Sequence, residues 1–151
     1  MDTNVFVYAF DANFESRRAR AQRILESADD VALRFPLQVV HEAFSTLTRR
    51  AKLEKPAVRQ LLAGYIESIP VIEPRVTATL AAMDLSARHS VAFWDALIVT
   101  VAAQGDCTIV LSEDLQDGRR FDAADAGRPL QIVNPFNDAN LGLLRALGFT
   151  L

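Results

Sequence analysis

The stretch VAFWDALIVTVAA, residues 91–103, is strongly apolar and carries one charged residue, Asp95. It leaves almost no polar side, so it predicts a helix that is buried all round. Phe93, Trp94 and Leu97 predict apolar surroundings for the carboxylate, and a buried charge costs free energy unless something compensates it. One explanation is structural, since the helix dipole favours a negative charge in the first turns. The other is that Asp95 binds a cation.

Outward from this helix, short apolar segments alternate with helical ones. CTIVL at 107–111 and PLQIVNP at 129–135 predict buried strands, because they are short and rich in β-branched residues. Residues 55–69 form the clearest amphipathic helix pattern. This alternation requires crossover connections and predicts an α/β fold with a mostly parallel sheet. The sequence predicts further helices at 15–29, 35–53, 76–89, 91–104 and 137–149 and further strands at 30–35 and 70–74, while 3–10 fits either type.

Composition and charge restrict the classes of protein. The chain has 151 residues, of which 50% are hydrophobic and 23% charged, so we expect one domain over 1–151 with 137–151 as a terminal helix and tail. The net charge of −3 argues against non-specific coating of nucleic acid but permits an enzyme that acts on a polyanion. The chain has a single cysteine, Cys107, no signal-peptide pattern and no apolar run of ~20 residues. We therefore expect a cytoplasmic protein that does not contact membranes.

Acidic residues follow the predicted strand 107–111. The segment SEDLQDG, residues 112–118, contains Glu113, Asp114 and Asp117. Sites in open α/β sheets form beyond the carboxyl ends of the strands, so this segment is a candidate for chemistry. The structural alternative is a turn in which Asp and Ser side chains cap the backbone.

Two more acidic residues belong to other elements. Glu42 lies on the predicted helix 35–53 in a polar stripe with Gln38, Ser45 and Thr46, which is also the pattern of an ordinary solvated helix face. Asp2 opens the chain, where its position alone indicates a helix N-cap or a fraying terminus.

Other catalytic patterns are absent from the sequence. His41 and His89 have no metal-binding spacing, and we interpret them as structural or surface residues. The chain has no Walker loop, no Gly-x-Gly-x-x-Gly and no Gly-x-Ser-x-Gly, so nucleotide binding or serine chemistry through those motifs is unsupported.

Four segments that each contain an acidic residue follow one another along the chain: DTNVFVYAFD with Asp2, VVHEAFSTLTRR with Glu42, FWDALIVTVA with Asp95, and LSEDLQDG with Asp114. The order and spacing resemble the PIN-domain ribonucleases, and most of all the VapC-type toxins of bacterial toxin–antitoxin modules. The resemblance extends from Met1 to the strand that ends IVNPF. It implies a three-layer α/β/α fold with a central, mostly parallel sheet of four to five strands flanked by helices.

The resemblance also implies a function, that of an endoribonuclease that cleaves RNA through a metal-activated water. The expected cofactor is Mg²⁺ or Mn²⁺, which would compensate the charge of Asp95, and the expected partners are RNA, a cognate antitoxin and a second copy of the chain. Ten of the sixteen Lys and Arg residues fall between Arg17 and Arg59, so part of the surface is expected to be basic. The residues assigned in this way are Asp2, Glu42, Asp95 and Asp114 as catalytic metal ligands, Asp117 as a further ligand, Thr3, Asn4 and Ser112 as residues that orient the carboxylates, and Arg49, Arg50 and Arg119 as RNA contacts.

The start of the chain departs from the family pattern. Members of the family have several apolar residues before the first aspartate, forming the central strand, whereas only Met1 precedes Asp2 here. Either the true start lies upstream or this strand is nearly missing. If Met1 is the genuine start, we expect a shortened central strand, a loosely held Asp2 and an ammonium group that competes with the metal. Two rival interpretations are kept. One is a small phosphatase, which DTNV disfavours because it lacks a second close aspartate, and the other is a truncated, non-catalytic PIN fold that only binds its antitoxin.

Overall fold

Helix α6 (Phe93–Gln104) lies deep in the protein, with residues 96–103 all buried. The structure is a computed structural model that describes all residues, 1–151. The apolar stretch that contains Asp95 therefore forms the predicted buried helix, and α6 packs chiefly against α5 (Val76–His89). The first turn of α6, which carries Asp95, is open to solvent.

Helices cover both faces of the strands. Along β3 (Ile109–Leu111) and β5 (Leu130–Val133), side chains alternate between two cores. Leu111 and Val133 enter the core formed with α1 (Thr3–Tyr8), α2 (Glu15–Glu26), α3 (Leu37–Arg49) and α4 (Lys55–Ser68). Val110 and Ile132 enter the core formed with α5 and α6. The predicted α/β class, with strands between two helical layers, is confirmed.

The strands form two small sheets instead of one continuous sheet. β1 (Phe35–Pro36) pairs in parallel with β2 (Val71–Ile72). In the second sheet, β5 lies in the centre, with β3 parallel on one side and β4 (Arg120–Phe121) antiparallel on the other. The parallel pairings agree with the predicted crossover topology.

The first two residues of the chain join the two sheets. The Met1 ammonium nitrogen donates to the Arg34 carbonyl at 3.3 Å, and the Asp2 N–H donates to the Leu111 carbonyl at 2.8 Å. Consecutive residues that bond to opposite sides behave as a strand between β1 and β3. A mostly apolar cavity of about 240 Å³ lies beside Met1, lined by Leu33 and Ile109 among others. Met1 and Asp2 thus occupy the place of a central strand that is only two residues long.

Some element boundaries differ from the sequence-based predictions. The ambiguous segment 3–10 is the helix α1, and the helices predicted at 55–69 and 76–89 match α4 and α5 within one residue. The predicted strand 30–35 is wrong for most of its length, because residues 28–33 form a turn in which Leu33 N–H donates to the Ala28 carbonyl and Ala32 has a positive φ of 49°. β4 and the short helix α7 (Ala123–Ala126) were not predicted. The C-terminal segment is a 3₁₀ turn followed by α8 (Leu141–Ala146).

No helix has the length and apolar character needed to cross a membrane.

Candidate active site

Four acidic side chains from four separate elements line one open cleft of about 230 Å³. Asp2 precedes α1, Glu42 lies in the middle of α3, Asp95 lies in the first turn of α6, and Asp114 lies in the loop after β3. No lysine, arginine or histidine lines the cleft. Its other residues are Thr3, Asn4, Gln38, Ser45, Thr46, Trp94 and Ile98.

Asp2 is firmly held at the base of the cleft. It is the N-cap of α1, and its carboxylate accepts from the Thr3 N–H at 2.6 Å and from the Ser112 hydroxyl at 2.7 Å. The side chain is only 6% exposed, and this burial raises the pKa of Asp2 although the two hydrogen bonds act in the opposite direction. The prediction of a loosely held Asp2 is therefore wrong, because capping, burial and the bond to Leu111 fix it although Met1 and Asp2 are the only residues in the central-strand position.

The two residues that follow Asp2 each hold another carboxylate. The Thr3 hydroxyl donates to Glu42 at 2.6 Å, and the Asn4 amide donates to Asp114 at 2.6 Å. Glu42 also accepts from Gln38, one helical turn earlier on α3, at 2.8 Å. The tripeptide 2–4 thus connects three of the four acidic residues, and both oxygens of Glu42 are engaged by donors.

Asp95 differs from the other three acidic residues. It is half-buried, and its pKa is raised first by burial and then by the charges of Asp114 and Glu42. Neither a hydrogen-bond donor nor a cation offsets this rise. The carboxylate is therefore the least compensated charge of the cleft.

The donor set of the cleft suits a hard divalent cation. Ions such as Mg²⁺ and Mn²⁺ prefer carboxylate and other oxygen ligands, which the cleft supplies almost exclusively. No three His, Cys, Asp or Glu side chains in the chain are gathered closely enough to form a ready-made metal cluster. Like charges repel, and three of the four carboxylates are held by different donors, so such spacing is expected without a cation. At Asp95, a bound cation would supply the compensation that no hydrogen-bond donor or basic side chain provides.

The sequence model of the PIN domain family matches residues 1–125. The chain belongs to the PIN domain family. PIN domains are generally nucleases and typically use divalent metal ions. No curated protein sequence matches the chain. The matched residues contain all four acidic residues of the cleft, while β5, which lies in the centre of the larger sheet, follows the matched part.

Two other acidic residues of the PIN domain's loop 112–118 do not line the cleft. Asp117 accepts from the Asn134 N–H and from the side chains of Asn137 and Asn140 at 2.8–2.9 Å. Burial alone would raise the pKa of Asp117, but these hydrogen bonds outweigh it and leave the pKa below its usual value. The structure thus places Asp117, which was predicted as a further metal ligand, where it anchors the C-terminal segment.

Glu113 is held by side chains of α1 and α2. Arg17 donates to it from Nε at 2.8 Å, and the Tyr8 hydroxyl donates at 2.7 Å. Burial, followed by the contact with Glu113, raises the pKa of Tyr8 to about 12. Arg17 also lies over the Tyr8 and Phe136 rings. This cluster fixes the residue directly before Asp114, and the sequence contained no signal for the pairing of α2 with this loop.

The basic residues predicted to contact RNA lie outside the cleft. Arg49 and Arg50 are exposed at the C-terminal end of α3, about two turns beyond Glu42. Arg119 donates to the His89 carbonyl at 3.4 Å and lies over the Phe121 ring, away from the cleft residues. Neither His41 nor His89 lines the cleft.

One cleft residue has a different environment from the one its sequence context indicates. Trp94 was expected to surround Asp95 with apolar bulk, but 61% of it is exposed. The signal available in the sequence was its position in the first turn of α6, where the helix has not yet entered the core.

Proposed function

We propose that this PIN domain is a metal-dependent endoribonuclease that hydrolyses RNA phosphodiesters. The observation that carries the proposal is the cleft in which Asp2, Glu42, Asp95 and Asp114 meet without a basic residue and with Asp95 uncompensated. A bare acidic cleft repels a phosphodiester, so the same residues act on RNA only with a cation between them and the phosphate.

The roles of the chain's own residues follow from their contacts. Asp2, Asp95, Asp114 and Glu42 would hold Mg²⁺ or Mn²⁺. A bound divalent ion supplies charge neutralisation at the phosphate and a water of lowered pKa. Behind the carboxylates, Thr3, Asn4 and Ser112 donate hydrogen bonds that fix the direction of their lone pairs.

RNA binding outside the cleft is proposed for the basic end of α3. Arg49 and Arg50 are exposed beyond Ser45 and Thr46, which line the cleft on the same helix. A phosphate of the RNA chain next to the cleft could therefore be neutralised by these side chains. Arg119 is a weaker candidate, because its guanidinium is already engaged by Phe121 and the His89 carbonyl.

A role as the toxin of a toxin–antitoxin pair is the more specific form of this proposal. It is supported by the order of the four acidic segments and by apolar surfaces that suit protein partners. On α5, Val76, Leu80 and Met83 follow helical spacing and are each more than half exposed, which suits a homodimer contact. Phe44 and Ile66 border an apolar groove between α3 and α4, which we propose for the antitoxin. Growth arrest on expression of the wild-type chain, but not of Asp95→Asn, would support the toxin role.

The nuclease proposal is tested by metal-dependent cleavage. The purified protein is incubated with an end-labelled RNA that contains stems and loops, in Mg²⁺, in Mn²⁺ and in excess chelator. We expect internal cleavage with either metal and none in chelator. Cleavage that persists in chelator, or its absence with every divalent metal tried, would contradict the proposal. The second result would favour a protein that binds its antitoxin without catalysis.

A further inference from the structure

The indole of Trp94 is the only large apolar surface that the acidic cleft presents to solvent. The other apolar residue of the cleft, Ile98, is 2% exposed, whereas Trp94 is 61% exposed. Every other side of the cleft is formed by carboxylate, amide and hydroxyl groups. We propose that Trp94 positions the substrate by stacking on one unpaired nucleobase at the rim of the cleft. The inference rests on the proposed nuclease function and adds a base-binding residue to it.

The position of Trp94 is fixed by its neighbours. Its ring contacts the Phe93 ring at 5.1 Å between centroids and 64° between planes, and its backbone carbonyl accepts from the Gln38 amide at 3.4 Å. It also lies in the first turn of a helix whose next two turns are buried. The indole is therefore held at the rim of the cleft by rigid elements, which a stacking surface requires.

The packing of the protein does not account for this exposure. An aromatic side chain that packs in a core buries about 150–250 Å². The buried part of α6, residues 96–103, is formed by smaller side chains, and Trp94 lies outside it. Trp94 instead faces a cleft whose charges repel the phosphates of an RNA chain. A neutral aromatic surface attracts bases whatever the charge of the cleft, because every base has a π-face.

The shared cleft sets which base is stacked. Trp94 lines the same cleft as Asp95 and the other three carboxylates. A base that stacks on Trp94 therefore belongs to a nucleotide close to the phosphate at the carboxylates. In a double helix each base is already stacked on its neighbours, and the indole has no free face to meet. Loops, bulges and single-stranded ends supply such bases, and duplex RNA does not.

The binding test uses the fluorescence of Trp94, which is the only tryptophan in the chain. The protein is titrated in Ca²⁺ with a short single-stranded RNA, with the same RNA in a duplex, and with the same RNA carrying an abasic nucleotide at each position in turn. Gels check that the RNA stays intact. We expect quenching by the single strand, little by the duplex, and loss of quenching at one abasic position although all phosphates remain. Equal quenching by duplex and single strand, or no effect of any abasic position, would overturn the inference.

Variants test the same inference by affinity and kinetics. Anisotropy of a labelled single strand should show about 5- to 150-fold weaker binding for Trp94→Ala and partial recovery for Trp94→Phe. We expect KM to rise more than kcat falls, and duplex binding to stay unchanged. Leu143→Ala is the matched control, since it removes an exposed apolar side chain on α8 that does not line the cleft. Thermal melts establish that each variant is folded.

The outcomes separate this inference from the nuclease proposal. If the wild type cleaves RNA but Trp94→Ala binds the single strand as tightly and keeps its KM, the stacking role is wrong and the nuclease function stands. If the wild type does not cleave but is quenched selectively by unpaired RNA, the nuclease function is wrong and the stacking surface stands. A wild type that neither cleaves RNA nor binds it contradicts both.

Discussion

Replacement of Asp95 by Asn tests whether the carboxylate cleft is the active site. The substitution keeps the size of the side chain and removes one charge that nothing in the protein compensates. A divalent ion loses a ligand charge, and the phosphate loses the stabilisation that the ion provides. We expect RNA cleavage to fall by roughly 100-fold or more. The control is Asp84→Asn, which removes the same charge from an exposed position on α5.

The same substitution should stabilise the metal-free protein. Asp114 and Glu42 both raise the pKa of Asp95 by charge repulsion, and for two unit charges ~4 Å or more apart this repulsion is at most about 4 kcal/mol at an effective dielectric constant of 20 and about 1 kcal/mol in water. Asp95 is half-exposed, so screening brings the total for both neighbours to about 1–2 kcal/mol. For a chain of this length the melting temperature should rise by roughly 2–8 °C.

The stability gain should depend on pH in a defined direction. The pKa of Asp95 in the folded protein lies above its ordinary value of 3.8, so folding favours the protonated form. This contribution is complete below pH 3.8 and is lost as the pH rises through the raised pKa. The melting temperatures of wild type and Asp95→Asn should therefore be close at low pH and separate towards neutral pH. Full cleavage activity in Asp95→Asn, or a stability difference that does not change with pH, would refute this account of the cleft.

Three further predictions concern other parts of the molecule. Asp117→Ala should lower the free energy of unfolding by about 1–2 kcal/mol, because three donors of residues 134–140 lose their acceptor. Metal affinity, measured by calorimetry, should stay unchanged. Weaker metal binding would show that Asp117 is a ligand. Arg49→Ala should weaken RNA binding and reduce the salt slope of binding by about 1 without changing metal affinity. Arg75→Ala, at an exposed site directly before α5, should change neither RNA binding nor its salt slope. Equal effects of both substitutions would rule out a local contact at Arg49. Four or five apolar residues added before Met1 should raise the melting temperature by pairing with β1 and β3, and a Gly-Ser extension of equal length should not. Metal affinity should stay unchanged, because Asp2 is already held by Thr3, Ser112 and Leu111. A rise in metal affinity with the apolar extension would show that Asp2 is not fully fixed.

The parts of the fold that the sequence predicts correctly have strong local patterns. α4 and α5 repeat apolar residues at helical spacing, and α6 is apolar throughout, so their existence follows from the periodicity of the side chains. The short segment 3–10 had no such pattern. It becomes a helix because Asp2 caps its first turn and because its apolar side chains are buried in the core between the helices and the larger sheet.

The parts that were not predicted depend on contacts between distant residues. The donors of Asp117 lie at 134–140, and Arg17 reaches Glu113 across 96 positions of the sequence. Nothing near Asp117 or Glu113 distinguishes these residues from Asp114, which lies in the same acidic segment. The division of that segment between the cleft and structural contacts is therefore a property of the folded chain.

The connections of residues 2–4 also bear on when the site forms. Thr3 contacts Glu42 across 39 positions, and both the Asn4–Asp114 and the Ser112–Asp2 contacts span 110 positions. Contacts of such high sequence separation form late, because long loops must close before they contribute. A nascent chain that has emerged only to the end of α6 contains Asp2, Glu42 and Asp95, yet it lacks both Ser112 and Asp114. Residues 2–4 thus wait for residues 112–114 before the cleft is assembled, so a chain still under translation carries Asp95 without its complete set of neighbouring carboxylates until the segment after β3 has left the ribosome.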